Sequence, residues 1–594
     1  MPFADLREFI AHLDKHGRLR RVAAPVSRDL EIAAITDRVS KGPADRNVAL
    51  LFENVEGFSV PVLINAFGAQ DRMAAALGVD RLDDLSARVA KVLELKMPGS
   101  FFDKLRKLGD LFDLAKAAPK RVGSAPCQEV VETDRASLAT LPILRCWPGD
   151  AGRYITLPLV FTRDPGSGAR NVGMYRLQVF DDQTLGLHWQ IHKGSAEHHR
   201  LAEEAQKPMD VAIALGGDPC SIYAASAPLP PGIDEMVFAG WLRGAGVPMI
   251  ACRTIDLEVP AEAEIVFEGY INTQELEEEG PFGESHGYMH PRQLNPFFEI
   301  TAITHRKDAI WVSFISQVTP SESSVIKKVA YEPIFTQHLR QTCNIRSVKR
   351  VVMHEPLTNL RKLIVVQMAN GAREAEVWRA LRAASSFNQG VGKICVAVDE
   401  DIDPEDATAL WWAVCYRSRP ALDVEITGHL EKGHAPPFRG TGIEQAAEGR
   451  DIVAHGDAAD DSGMLINACL KEPWPPISLP SRDLMERALE IWNELGLPKV
   501  RPQRPWYGYS LGQWDDELDA EARLALRGEH FKTGEKLAQR RVKLTDTRAA
   551  RPDAYLGTDP VPGTPVDPRA AEHSPGGPGY DEEAPRDVPR DDGM

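Results

Sequence analysis

Basic residues are in short supply in this chain. Lys and Arg number 69 against 86 Asp and Glu, a formal net charge of −17, which argues against nonspecific affinity for nucleic acid or anionic membranes. Cysteine is scarce too: the 8 present are scattered and never fall as Cys-x-x-Cys, so neither a disulfide framework nor a zinc knuckle is indicated and the cytoplasm is the expected compartment. No apolar run reaches the length of a membrane span, and the start MPFADLREFIAHLDKHGRLRRV lacks the charged-then-apolar layout of a signal peptide. There is no internal repeat. No Gly-x-Gly-x-x-Gly follows a strand, which leaves no evident docking fingerprint for a nicotinamide dinucleotide.

What is present is ordinary globular material: 594 residues, 43% hydrophobic and 26% charged, enough for several domains. The first segment predicts an amphipathic helix with Phe3, Leu6, Phe9, Ile10 and Leu13 on one face. Residues 1–120 mix helices with short strands such as PVLINAFG (61–68), an α/β unit. Within it, KVLELKMPGSFFDKLRKLGDLFDLAKAAPKRVG (91–123) is basic and amphipathic. A membrane or RNA contact is one use of such a face, and a helical linker packed on its neighbours is the commoner one. Across 121–325 the texture turns to strands divided by turns, among them TLPLVFTRD, GMYRLQVFDD, VAIALGGDP, EIVFEGYI, FFEITAITHR and AIWVSFIS. The economical expectation is a barrel-like antiparallel sheet. Residues 326–500 alternate RKLIVVQMA, EVWRALRAAS, KICVAVDED and PEDATALWWAVCYRS, a β-α-β-α order that predicts a second α/β domain. A helical extension is expected over 501–547, including the aromatic turn RPWYGYSLGQW. The Pro-, Gly- and Asp-rich tail, 548–594, is expected to be disordered.

Three stretches carry chemistry. In EEEGPFGESHGYMHP (277–291) Glu279 and Glu284 flank Gly-Pro-Phe-Gly. Proline fixes one φ and glycine permits unusual ones, so a rigid turn there can bring both carboxyls to one cleft. Two close carboxyls push their pKa values apart and leave one protonated near neutrality as a general acid. The bland alternative is a solvated acidic loop. In RNVGMYRLQVFDDQTLGLHWQIHKG (170–194) two strands flank the turn DDQTLG. Read as one continuous strand, the first places Asn171, Gly173 and Tyr175 on one face and Val172, Met174 and Arg176 on the other. His188, Gln190 and His192 alternate with Trp189 and Ile191 on the second. Antiparallel pairing would bring Asn171 near His192, a partial metal shell that lacks an anion; edge-strand polarity is the plain alternative. In APLPPGIDEMVFAG (227–240) Asp234 stands where an N-cap would be. Glu235 either complements the helix dipole or supplies the missing carboxylate.

With these residues in view, the chain resembles the UbiD family of prenylated-flavin-dependent decarboxylases. The resemblance is carried by RYITLPLVFTRDP, NVGMYR, LHWQIHKG, PPGIDEMVFAGWLRG, DLEVPAEAEIVFEGYI, EGPFGESHGY and KICVAVDEDID, and lapses in the C-terminal extension. It implies an N-terminal α/β domain, a central FMN-binding split β-barrel and a C-terminal α/β domain used in oligomerisation. It implies a catalytic Arg176, Glu279 and Glu284, with Glu284 the proton donor. It implies that Asn171, His192 and Glu235 bind a divalent metal, manganese in most of the family, with potassium near Ala225, Ser226 and Ala227. Contacts to prenylated FMN would come from Thr156, Met174, Tyr175, Arg176, His188, Trp189, Gln190, Lys193, Gly194 and Lys393. The implied reaction is reversible, nonoxidative loss of CO₂ from an aromatic or α,β-unsaturated acid. A flavin prenyltransferase would supply the cofactor, and a homo-oligomer, dimer or hexamer, is expected. The alternative is a non-catalytic flavin-binding or assembly protein of the same fold, against which the full Arg-Glu-Glu set counts, since holding a cofactor does not require Glu284.

Overall fold

The computed structural model describes residues 3–42, 46–80, 82, 84–85, 116–133, 136–189, 194–229, 233–285, 287–354, 362–387, 391–430, 461–497, 509–513 and 515–541. Most of the basic stretch 91–123, Gln190, His192, Lys193, the segment 433–452, most of the aromatic turn 504–514 and the tail 548–594 lie outside the described residues. The chain forms two compact units, Met1–Gly512 and Gln513–Met594. In the second, the helices Asp516–Leu526 and His530–Ala538 are joined by Lys536, which pairs with Glu517 and, at 3.1 Å, with Glu521.

In the first unit the opening helix is Leu6–Lys15, started by the Asp5 side chain, which accepts from Glu8 N at 2.9 Å. Its buried face is Leu6, Phe9, Ile10 and Leu13, the stripe that its spacing predicts. Phe9 stacks on Phe67 with ring centres 5.4 Å apart, fixing the helix on its sheet. Among the described residues that sheet has four strands, ordered Leu19–Val22, Ala49–Phe52, Val62–Ile64 and Trp311–Ser313. The last strand corrects the expectation from sequence, which put AIWVSFIS with the central strands. The Lys307–Asp308 turn ends the preceding strand, and Trp311, 0% exposed, goes into the N-terminal core with its backbone N–H on Pro61 O at 2.8 Å.

The central sheet has nine strands among the described residues, every pairing antiparallel. Its order is Tyr154–Ile155, Arg176–Val179, Thr184–His188, Phe297–His305, Ala263–Ile271, Met209–Gly216, Pro158–Arg163, Arg170–Gly173, with Val130–Glu132 added on Phe297–His305. The end strands do not pair, so the sheet is not a closed barrel. Yet Arg170–Gly173 and Arg176–Val179, near opposite ends of that order, are joined by Met174 and Tyr175 alone. Three Cα steps span at most about 11 Å. The sheet therefore rolls until its two ends lie side by side, with Met174 and Tyr175 crossing the seam. This also corrects the single strand read across 170–176: the segment is two strands that pair with different partners, Arg170–Gly173 with Pro158–Arg163 and Arg176–Val179 with Thr184–His188.

Beyond it, the helix Glu322–Gln337 opens with a reciprocal cap between Ser321 and Ser324 and is buried over most of its length. It leads to a mixed sheet of five strands among the described residues, ordered Val348–Met353, Leu363–Met368, Ile394–Asp399, Asp461–Ala468 and Val424–Leu430. The helices Glu374–Ser385 and Ala407–Arg417 contribute to different apolar clusters of that sheet. One continuous core runs from Leu6 through Val172 and Val325 to Leu465, so the three regions share an interior. Phe9→Ala, which empties a fully buried ring at the start of that core, is expected to cost about 3–5 kcal/mol and to lower the melting temperature measured by calorimetry.

Candidate active site

Arg176 and His188 are direct cross-strand partners, which puts both side chains on one face of the rolled sheet. The guanidinium is nearly used up. Nε and Nη2 donate to the two oxygens of Glu279, each at 2.8 Å, and Nη1 donates to Glu284 Oε1. His188 Nδ1 lies 3.2 Å from Arg176 Nη2 and 3.2 Å from Glu279 Oε2. The two acids are not equivalent: the Glu279 side chain is 0% exposed and held at both oxygens, whereas Glu284 is 23% exposed.

The Gly-Pro-Phe-Gly turn delivers these acids as its composition suggests. Gly280 has φ +99, a conformation that L side chains rarely adopt, and its N–H donates to Gln178 Oε1 at 2.7 Å. A hairpin follows, pairing Phe282 with His290 and Gly283 with Met289. Gly283 is needed for close approach: a Cβ there would lie 2.1 Å from Trp147 Cδ1. Its N–H donates at 2.8 Å to buried Asp150, which also accepts from Trp147 N at 2.9 Å. Phe282 packs its ring 4.6 Å from Arg176 Cζ, a cation–π contact. Sequence reasoning missed Gln178, Asp150 and Trp147, although Pro-Gly-Asp at 148–150 marks a turn. It also missed His290, whose ring is 5.3 Å from that of His188.

Burial alone pushes both carboxyls up. For Glu279, hydrogen bonds and charge from Arg176 and His188 outweigh it and hold the group at about 2. For Glu284 the opposing charges are Arg176, then His188, His290 and Lys327, and it too is held at about 2. The expectation that one acid of the pair stays protonated near neutrality is thus overturned. A guanidinium touches both, and its charge replaces the mutual repulsion that would have raised one of them.

Of the residues expected to bind metal, Asn171 and Glu235 lie along the far side of the seam. Asn171 Nδ2 donates to Ser195 Oγ at 2.9 Å, and a Cβ at Gly194 would sit 2.1 Å from Asn171 Oδ1. Glu235 Oε2 accepts from Val172 N at 3.1 Å, and burial raises its carboxyl to about 7. Asp234 caps the helix Glu235–Arg243 as expected, accepting from Met236 N and Val237 N at 2.7 and 3.1 Å. The structure therefore brings Asn171 and Glu235 to one strand edge, while His192 lies outside the described residues. Among the described residues no three His, Cys, Asp or Glu side chains cluster as a metal site. A carboxamide oxygen and a buried carboxylate are hard oxygen donors that fit a divalent cation. Tyr175, buried, has its hydroxyl toward Ser195 and Asn171, and meets Trp189 edge-on at 6.0 Å. These rings and the Arg176 cation suit a planar, anionic cofactor. Thr156 is buried, its hydroxyl on Ser313 Oγ at 2.9 Å and Phe314 O at 2.5 Å. Lys393 precedes the strand Ile394–Asp399 of the five-stranded sheet, outside the central one. Ala225 and Ser226 donate backbone N–H groups to Ser221 O and Tyr223 O in the last turn after the helix Pro219–Ala224.

A carboxyl depressed by folding stabilises the fold above its unfolded value and loses that contribution as pH falls toward the folded one. The melting-temperature gap between wild type and Glu279→Gln is therefore expected to be full above pH 4.5 and to shrink from 4.5 toward 2, measured by calorimetry across that range.

Comparison with known proteins places the chain within a family. Residues 10–91 match the 3-octaprenyl-4-hydroxybenzoate carboxy-lyase N-terminal domain, 120–318 its Rift-related domain and 325–439 its C-terminal domain. Over 513 residues the chain is 38% identical to a protein from Archaeoglobus fulgidus, an alignment covering 83% of this chain and 99% of that one. Among solved structures, the UbiD-class enzyme HmfF from Pelotomaculum thermopropionicum in complex with prFMN is 30% identical with a TM-score of 0.67, covering 81% of this chain and 98% of HmfF. Vanillic acid decarboxylase of Sedimentibacter hydroxybenzoicus, in its open form, is 26% identical with a TM-score of 0.66, covering 83% of this chain and 100% of that one. Three consecutive domain matches, and relatives aligned over nearly their whole length, make this chain a member of the UbiD family of carboxy-lyases.

Proposed function

We propose that the protein is a reversible, nonoxidative decarboxylase of an aromatic or α,β-unsaturated carboxylic acid that works with prenylated FMN in the split-barrel domain. The observation that carries this reading is the buried Arg176 shared between Glu279 and Glu284. When bound, the prenylated flavin would accept the electron pair left by departing CO₂, which no amino-acid side chain can take. Met174, Tyr175, Arg176, His188, Trp189, Gln190, Lys193 and Gly194 are the residues proposed to hold it, with Thr156 and Lys393 as further contacts. Asn171, His192 and Glu235 would hold the divalent ion, manganese by family precedent, and the backbone of 225–227 a potassium ion. A flavin prenyltransferase as supplier and a homo-oligomeric assembly complete the proposal.

The chain's own part follows from how Arg176 is divided. Glu279 takes Nε and Nη2, and stays ionised. It fixes the guanidinium plane and leaves Nη1 as the donor that can change partner. An incoming substrate carboxylate competes for Nη1 with Glu284. Freed from that contact, Glu284 loses the largest charge holding it low, and burial then raises it. It takes up a proton and delivers it to the carbon that has lost CO₂. His188, in contact with both Arg176 and Glu279, keeps the pair in register as Glu284 moves.

Glu284→Gln is expected to retain flavin while CO₂ release and solvent-deuterium exchange into product fall by about 10²–10⁴-fold; wild-type rates in that variant remove the acid assignment. Glu235→Ala is expected to lose metal and flavin together, read by elemental analysis and by the visible spectrum of the purified protein. A variant that stays coloured and metal-loaded removes the metal assignment.

A further inference from the structure

A second series of polar side chains, unused by the steps above, ends on Asn171. Asn171 and Thr162 are direct cross-strand partners, so both side chains stand on one face of the sheet. The helix Gly194–Glu204 packs on these two strands, with Ser195 in its first turn and His198 one turn further on. Asn171 Nδ2 donates to Ser195 Oγ at 2.9 Å. Ser195 Oγ lies 3.3 Å from Thr162 Oγ1, and Thr162 Oγ1 lies 2.9 Å from His198 Nδ1. Thr162 and Ser195 are 0% exposed and His198 is 8% exposed. Burying polar groups in series costs desolvation that an apolar helix–sheet contact would not incur. On the other side of the amide, a Cβ at Gly194 would lie 2.1 Å from Asn171 Oδ1. The bare glycine therefore leaves the oxygen room, two residues from His192 in the sequence.

A carboxamide has nearly the same shape in its two orientations, and only one of them turns oxygen toward a cation. Ser195 alone does not choose between them, because a hydroxyl both donates and accepts, and the same holds for Thr162. The choice falls to the far end of the series. Burial holds the His198 ring below its ordinary value, against the opposing charges of Asp164 and Glu197. A neutral ring has one nitrogen that only accepts. With Nδ1 in that role, Thr162 donates to His198 and Ser195 donates to Thr162. The Ser195 lone pair is then left for the Asn171 Nδ2–H, and Oδ1 faces the other way. We propose that His198 and Thr162 are positioning residues that act through Ser195 to hold Asn171 Oδ1 toward a divalent cation. Neither touches the ion. The proposal rests on the decarboxylase reading, in which Asn171 is a metal ligand, and adds the residues that orient it.

The test reads manganese rather than turnover. Flavin-loaded enzyme is dialysed with excess FMN against solutions of buffered free Mn²⁺, and the bound ion is measured by electron paramagnetic resonance. Thr162→Val, which keeps the shape and removes the hydroxyl, and His198→Leu are each expected to weaken Mn²⁺ binding by about 10–100-fold. Thr162→Ser and His198→Asn, which return a hydroxyl and an acceptor, should bring it back close to wild type, whatever they do to the melting temperature. In an Asn171→Ala background Thr162→Val should cost nothing further, because it acts only through the amide. Unchanged affinity in folded Thr162→Val, no recovery in Thr162→Ser, or a further loss on top of Asn171→Ala overturns the proposal. Should Thr162→Val fail to fold, His198→Leu and its rescue by His198→Asn decide in the same way. Asn171→Ala that binds Mn²⁺ as wild type does sinks the metal reading and the relay with it. Asn171→Ala that weakens binding while Thr162→Val does not sinks the relay alone.

Discussion

One guanidinium shared between two carboxylates is the constraint on which the rest of the site depends. Arg176 is delivered by a strand, Glu279 by the strand Glu277–Glu279, and Glu284 by the hairpin after it. These segments are about 100 residues apart in sequence and meet at one charged group. Burying two carboxylates costs a great deal unless each is paired. The fold answers with a cation in hydrogen-bond contact with both, backed by the ring of Phe282 and by His188. Gln178 and Asp150 then hold the turn and the hairpin from behind through Gly280 N and Gly283 N. The polar network reaches well beyond Arg176, Glu279 and Glu284, because an error in any support would leave a charge buried without its partner.

The same interaction separates the roles of two chemically identical side chains. Glu279 is sealed from solvent and gripped at both oxygens, a geometry that can only stay ionised and still. Glu284 has one contact to Arg176 and a part-exposed side chain. It also stands in a turn closed by its own backbone, with Glu284 N on Tyr288 O at 3.0 Å and Gly287 N on Glu284 O at 2.9 Å. An acid that must change both partner and proton during a cycle needs that arrangement: fixed at the Cα, loosely held at the carboxylate. Environment, not residue type, separates the two: Glu279 is fixed as an anchor, and Glu284 is the one that the proposed mechanism can use to deliver a proton.

How much of this could be read from the sequence depended on the range of the interaction. Local signals read true: the stripe on Leu6–Lys15, Asp234 as a cap, and glycine with proline marking a turn at 280–283. The family blocks group Arg176, Glu279 and Glu284, and the fold brings these three side chains into contact. Three things escaped. The break at Met174 and Tyr175 is invisible to a period-of-two pattern, since both halves are genuine strands and only their partners differ. Trp311–Ser313 has the composition of its neighbours, and its destination is set by a parallel pairing to Val62–Ile64, far away in the chain. The ionisation of the two acids depended on a guanidinium whose position follows from the rolled sheet, so counting carboxyls in the turn gave the wrong sign for one of them.

The seam at Met174 and Tyr175 explains why Asn171 and Arg176 can stand so close in sequence and yet belong to separate networks. On one side, Arg170 pairs with Asp234 at 2.8 Å, Val172 N meets Glu235, and Asn171 meets Ser195, all contacts of one sheet edge with the helices beside it. On the other, Arg176 meets His188 on the neighbouring strand and Glu279 and Glu284 from the acidic turn, contacts near the opposite end of the sheet. Two residues join the edges, so their spacing is fixed by covalent geometry even though their hydrogen-bond networks are distinct. A cofactor with its charged end on the first edge and its reactive ring at the second would be positioned by the roll of the sheet itself. Damage to either network should then stay local: on the proposed function, changes around Asn171 would act on retention of the cofactor, and changes around Arg176 on the fate of the proton.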